Sequence, residues 1–167
     1  MKTDKTQFRI AAVSLSTYGF GYAVIEDGAL VEYRNKVFLA DKSANSLTHI
    51  KKLIVRFQPT ALVLHDVNAK GTYRAPRIKE LHRKVVALAK RRKLKAVKIS
   101  GTELRKTLLG NSKGTKQEMA ESLAQQFPDD LASRIPTKRR AWTSENARMD
   151  IFDAVGLLVV ASATLTR

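Results

Sequence analysis

The chain has 167 residues, 31 Lys and Arg against 15 Asp and Glu, a formal net charge of +16 and no Cys. That length suits one domain spanning 1–167 with a sizeable core, and an apolar content of 44% argues against a disordered basic tail. The lack of Cys excludes a disulfide scaffold, a thiolate zinc site and a Cys nucleophile, and no apolar run approaches the ~20 residues of a membrane span.

Residues 8–15 alternate in side-chain character and read as a strand; a turn through 16–19 leads to a second strand at 20–25. Asp27-Gly28 is a two-residue hairpin signal ahead of a third strand at 29–39. The period then changes, with Leu47, Ile50, Ile54 and Phe57 at helical spacing before Pro59. Residues 61–67 form a short apolar run broken by Asp66, which reads as a buried strand. A long helix is expected over 74–92, with Ile78, Leu81, Val85 and Leu88 on its apolar face, and a strand over 96–99. Ser100-x-x-Glu103 and Thr115-x-x-Glu118 are capping boxes, each expected to start a helix. A charged loop over 128–145 and a last apolar helix over 147–163 complete the chain. The order predicts an α/β fold: a mixed five-stranded sheet, three antiparallel strands then parallel ones, flanked by helices. That is the order of the ribonuclease H-like fold.

The positive charge is concentrated. Sixteen Lys and Arg lie between residues 70 and 116, with only Glu80 and Glu103 against them. A solvated helix face is the plain explanation, but mixed signs would serve solubility equally well. A field of one sign concentrates phosphate-bearing ligands, so nucleic acid is the expected partner; acidic membrane or protein surfaces are the alternatives. The first residues, MKTDKTQFRI, include an acid and several polar residues where a signal peptide would be apolar. A cytoplasmic, nucleoid-associated protein is therefore expected.

Few acids stand where chemistry could use them. Asp66 interrupts an apolar strand, and Asp150 and Asp153 share one face of the last helix. Taken singly, each has a simpler use, Asp66 in a strand-end turn and the helix pair in capping. Together, carboxylates from a sheet and a helix can hold hard divalent cations such as Mg²⁺ or Mn²⁺.

Several stretches resemble the Holliday junction resolvase RuvC family, and the likeness covers about residues 8–163. The stretch ISGTELRKTLLGNSKGTKQEMAESLAQQF, residues 99–127, is similar to the family's helix, glycine-bearing turn, Lys and further helix. The closing MDIFDAVGLLVVA resembles its D-x-x-D helix, with Asp150 and Asp153 at the two acids, and ALVLHDV resembles its Glu-bearing strand, with Asp66 in that place. Lys116 matches a basic residue that the family sets near the scissile phosphate, and Lys106, next to Arg105, matches a second basic position.

The departure is on strand one. The family reads Asp-Pro-Gly there, whereas this chain has Ser14-Leu15-Ser16, followed by a matching Gly21-Tyr22. Ser14 therefore stands where the resemblance expects the first catalytic Asp. The resemblance implies a metal-dependent endonuclease on branched DNA, with Asp66, Asp150, Asp153 and Lys116 catalytic. It also implies Mg²⁺ or Mn²⁺ at the three acids, with Ser14 as a weak or water-mediated ligand. Nucleic-acid contacts are expected from Lys70, Tyr73, Arg74, Arg77, Arg105, Lys106, Lys113 and Lys116, and a homodimer through the 74–92 helix. Three other readings stay open: an inactive relative that binds branched DNA, an RNA-binding or ribosome-associated protein, and an RNA nuclease of the same fold. His49, His65 and His82 show no ligand spacing, and His65 is expected to point away from Asp66. Trp142 is a candidate for base stacking, and Asn68 and Asn146 for orienting water.

Overall fold

Asp27 and Gly28 take φ of 49° and 86°, the two positive values of a type I′ hairpin turn. They join β2 (Gly19–Glu26) to β3 (Ala29–Val37), with Glu26 opposite Ala29. The structure is a computed structural model that describes residues 8–136 and 147–165, so Trp142 and Asn146 lie outside the described residues. The remaining elements are β1 (Arg9–Leu15), α1 (Lys42–Phe57), β4 (Ala61–His65), α2 (Pro76–Arg91) and β5 (Lys95–Ile99), followed by α3 (Gly101–Leu109), α4 (Lys116–Gln126), α5 (Pro128–Leu131) and α6 (Met149–Leu165).

The sheet runs β3-β2-β1-β4-β5, antiparallel across its first three strands and parallel from β1 through β4 to β5. This is the mixed five-stranded, ribonuclease H-like sheet that the element order predicts. Alternation along the strands divides the core in two. Ala11, Val13, Tyr22, Val24, Leu62 and Leu64 pack beneath α1 and α2. Ile10, Ala12, Ala23, Ile25 and Val63 face α6 and the α3–α4 pair. Buried over most of its length, α6 comes so close to β2 that a Cβ built on Gly21 would lie 2.3 Å from the Asp150 carbonyl.

Element ends follow local chemistry. The fourth strand stops at His65, short of the expected 67, because the Asp66 carboxylate accepts the Asn68 N–H at 3.0 Å and turns the chain. The long helix starts at Pro76, not at 74, since the residue before a proline is driven extended; Ala75 has ψ 147°. Both capping boxes form: Ser100 accepts from Glu103 N–H and Thr115 from Glu118 N–H, each at 3.1 Å. The segment expected as loop opens with helix α5, because Pro128 suits a first helical position and Asp129 and Asp130 favour a first turn. Among the described residues no helix is long and apolar enough to cross a membrane.

Candidate active site

The parallel register of β1 and β4 decides what meets at the sheet end. Ile10 pairs with Ala61 and Ala12 with Val63, so the same offset sets Ser14 beside His65. Their side chains meet, Oγ to Nε2 at 3.2 Å, and Ser14 is only 2% exposed. Both lie on the strand faces that look toward α6. The His65 ring is held neutral: burial, then the charges of Arg74, Lys116 and the neighbouring His82, pull its pKa down to about 3. Its carbonyl accepts a hydrogen bond from His82 Nε2 at 3.0 Å, which ties β4 to α2.

Two acids come to this end from α6. Asp150 is 7% exposed, in the first turn of the helix. Asp153 receives the Lys116 ammonium at 3.4 Å. Burial raises the Asp153 carboxyl above its usual pKa, and the Lys116 and Arg74 charges oppose that rise. Lys116 is the first residue of α4, so the Thr115 cap also fixes where this ammonium stands. Asp66, one residue beyond β4, spends one oxygen on its own turn.

These groups line two adjoining cavities. A small one of about 170 Å³ holds Ser14, Arg74, Lys116, Asp150 and Asp153. A wider one of about 420 Å³ holds His65, Asp66, Lys70, Tyr73, Arg74, Arg105, Lys116 and Asp153. Arg74, Lys116 and Asp153 belong to both. Tyr73 stands at the rim with 86% of its surface exposed.

The other predicted contacts divide. Lys106 and Lys113 are exposed on and just after α3, outside both cavities. Arg77 donates to Ser43 Oγ at 3.0 Å and to the Thr17 carbonyl at 3.1 Å, so it braces α1 against the β1–β2 turn. Arg105 donates its Nε to the Gly114 carbonyl at 3.1 Å and holds the α3–α4 turn. His65 is the residue that sequence reasoning passed over. The signal was there: with strands one and four as parallel neighbours, position 65 falls on the face of position 14.

A two-ion metal centre needs several carboxylates facing one another. Here the strand-end positions nearest α6 carry a neutral pair, Ser14 and His65, and Lys116 is already engaged with Asp153. Among the described residues no group of three or more His, Asp or Glu converges closely enough to hold a metal ion. As arranged, the residues do not fit a two-ion centre. The wider cavity suits a phosphate group better, since its cations Lys70, Arg74, Arg105 and Lys116 outnumber its carboxylates, Asp66 and Asp153.

No family model and no curated protein sequence matches the chain. Solved structures do match in shape. The RuvC structure of Thermus thermophilus superposes with a TM-score of 0.67 at 11% identity, covering 95% of this chain and 97% of that one. RuvC of T. thermophilus in complex with Holliday junction substrate gives 0.65 at 12% identity over 95% and 96%. The Fowlpox virus resolvase, in complex with its substrate Holliday junction DNA, gives 0.53 at 13% identity over 92% and 99%. At such identities the likeness is one of fold, and the chain has the ribonuclease H-like fold seen in RuvC and the poxvirus resolvase.

Proposed function

We propose that this chain is a RuvC-type protein that binds branched DNA, with a phosphate lodged between Arg74 and Lys116 and an unstacked base met by Tyr73. The carrying observation is the exposed Tyr73 ring at the rim of a cavity whose cations are Lys70, Arg74, Arg105 and Lys116. A continuous helix keeps both faces of each base pair stacked and offers little to such a ring, whereas the pairs at a branch point can open a face to it. The two structures solved with Holliday junctions share this fold, and a protein with this partner would sit with the nucleoid.

The binding reading is preferred to catalysis because Ser14 and His65 form a neutral pair where the resemblance expects negative charge. Divalent-metal endonuclease activity is the second reading, favoured by Asp66, Asp150 and Asp153 lining adjoining cavities with Lys116. Fluorescence anisotropy with a labelled four-way DNA junction and a linear duplex, at one fixed salt, tests the first reading. The junction should bind more tightly, and Tyr73→Ala should lose that preference while keeping duplex affinity. Equal affinity for both DNAs in the wild type would sink the proposal, and tighter binding of duplex RNA would transfer it to the RNA-binding alternative. Incubating the same junction with Mg²⁺ or Mn²⁺ tests the second reading.

A further inference from the structure

Outside the cavities just described, the strongest charge lies along α2 and its continuation into β5. Residues 76–98 hold ten Lys and Arg against Glu80 alone. The inward face of the helix is apolar, with Ile78, Leu81, Val85 and Leu88 buried, so these cations crowd the outward face. A groove of about 590 Å³ runs there, floored by Val67 and Val86 and lined by Lys79, Arg83, Lys90 and Lys98. Arg83 is partnered by Glu80, the one acid present.

We infer that this groove is a second nucleic-acid track, which grips the phosphate backbone of one duplex arm as it leaves the branch point. This rests on the nucleic-acid reading above and adds a surface to it. Placement supports the assignment. The groove starts beside Asn68 and Pro76, next to the loop that carries Lys70 and Tyr73, and extends along α2 to Lys90. From Lys79 to Lys90 is eleven residues, about 16 Å of helix, which spans roughly five phosphates of one DNA strand. Lys98 reaches the groove from the edge strand β5, so cations from two elements line one channel.

The same helix is the one through which a homodimer was expected. Pairing copies face to face would set these cations against each other, and the exposed residues of α2 offer little apolar surface to compensate. A polyanion is the occupant that this charge complements.

Anisotropy titrations over a range of salt, on the four-way junction and on the linear duplex, test the track. Lys79→Gln/Lys90→Gln removes two exposed groove cations, and Lys51→Gln/Lys52→Gln removes two exposed cations from α1. Net charge changes equally, and Gln is a good helix former, so neither pair threatens the fold. The groove pair should weaken junction binding by on the order of tenfold and flatten the log–log salt slope by about 2. The α1 pair should leave that slope unchanged. Equal effects from the two pairs, or none from either, overturn the track. A wild type that binds junction and duplex alike overturns branch selectivity instead, and the two pairs compared on duplex still decide the groove.

Discussion

Ser14 Oγ and His65 Nε2 stand 3.2 Å apart, side by side on parallel strands, with both residues on the α6 side of the sheet. A neutral hydrogen-bonded pair therefore occupies the place where a strand-one carboxylate would face Asp150 and Asp153. Ser14→Asp restores that charge. The variant should show a rise in melting temperature with Mn²⁺, because an ion that binds only the folded state stabilises it. Wild type should show none. Equal shifts in thermal unfolding scans, or none in either protein, would refute this explanation of the site.

The buried imidazole makes stability depend on pH. His65 titrates at about 3 in the fold against an ordinary 6.5. The unfolded chain therefore binds more protons between those values, so the stability is fully present above 6.5 and is lost as pH falls towards 3. The lowered pKa of His82 acts in the same sense, and the raised pKa of Asp153 in the opposite sense as pH climbs past 3.8. The contribution of His65 is thus read by difference. Urea unfolding of wild type and His65→Gln between pH 4.5 and 7 should give a steeper loss in wild type, by up to roughly 1.4 kcal/mol per pH unit. Parallel curves would show that the ring does not change protonation on unfolding.

Gly21 is a packing requirement. A Cβ there would lie 2.3 Å from the Asp150 carbonyl oxygen, a backbone atom that cannot swing aside. Gly21→Ala must push α6 off β2 and should cost about 3 kcal/mol, near the top of the overpacking range. Calorimetry should record a melting temperature lower by roughly 6 °C or more. A change under about one degree would mean that α6 does not approach β2 this closely.

Two helix caps of equal local chemistry separate stability from site geometry. Ser100→Ala and Thr115→Ala each remove a side-chain acceptor from an N–H at 3.1 Å, and each should cost about 1 kcal/mol. Thr115 also fixes the first residue of α4, Lys116, whose ammonium contacts Asp153. Paired denaturation and junction titrations should show similar stability losses, with the larger loss of affinity in Thr115→Ala.

The elements were legible because each rests on a local signal. The Asp27-Gly28 turn, both capping boxes, Pro59 and the apolar stripe of α2 are set by backbone chemistry within a few residues. The acids at 150 and 153 were legible for the same reason, since helical spacing puts them on one face. What local spacing does not carry is register. His65 meets Ser14 only through the alignment of two strands 51 residues apart. Asp66, expected within a strand over 61–67, lies past the strand end, where its own turn sets its direction. Arg77 and Arg105, expected at phosphates, each also donate to a backbone carbonyl, which no local spacing announces. Their partners, Thr17 and Gly114, come from other turns of the chain.

The central claim is that this sheet end grips a branch point without a two-ion centre. An end-labelled four-way DNA junction, incubated with the protein in chelator and then with Mn²⁺ and resolved on a denaturing gel beside a native binding gel, tests it directly. The account predicts a junction complex that forms in chelator, exceeds duplex binding at the same salt, and leaves the strands uncut when Mn²⁺ is added. Symmetric nicks near the branch in Mn²⁺ would contradict it and would assign Asp66, Asp150 and Asp153 to catalysis despite Ser14.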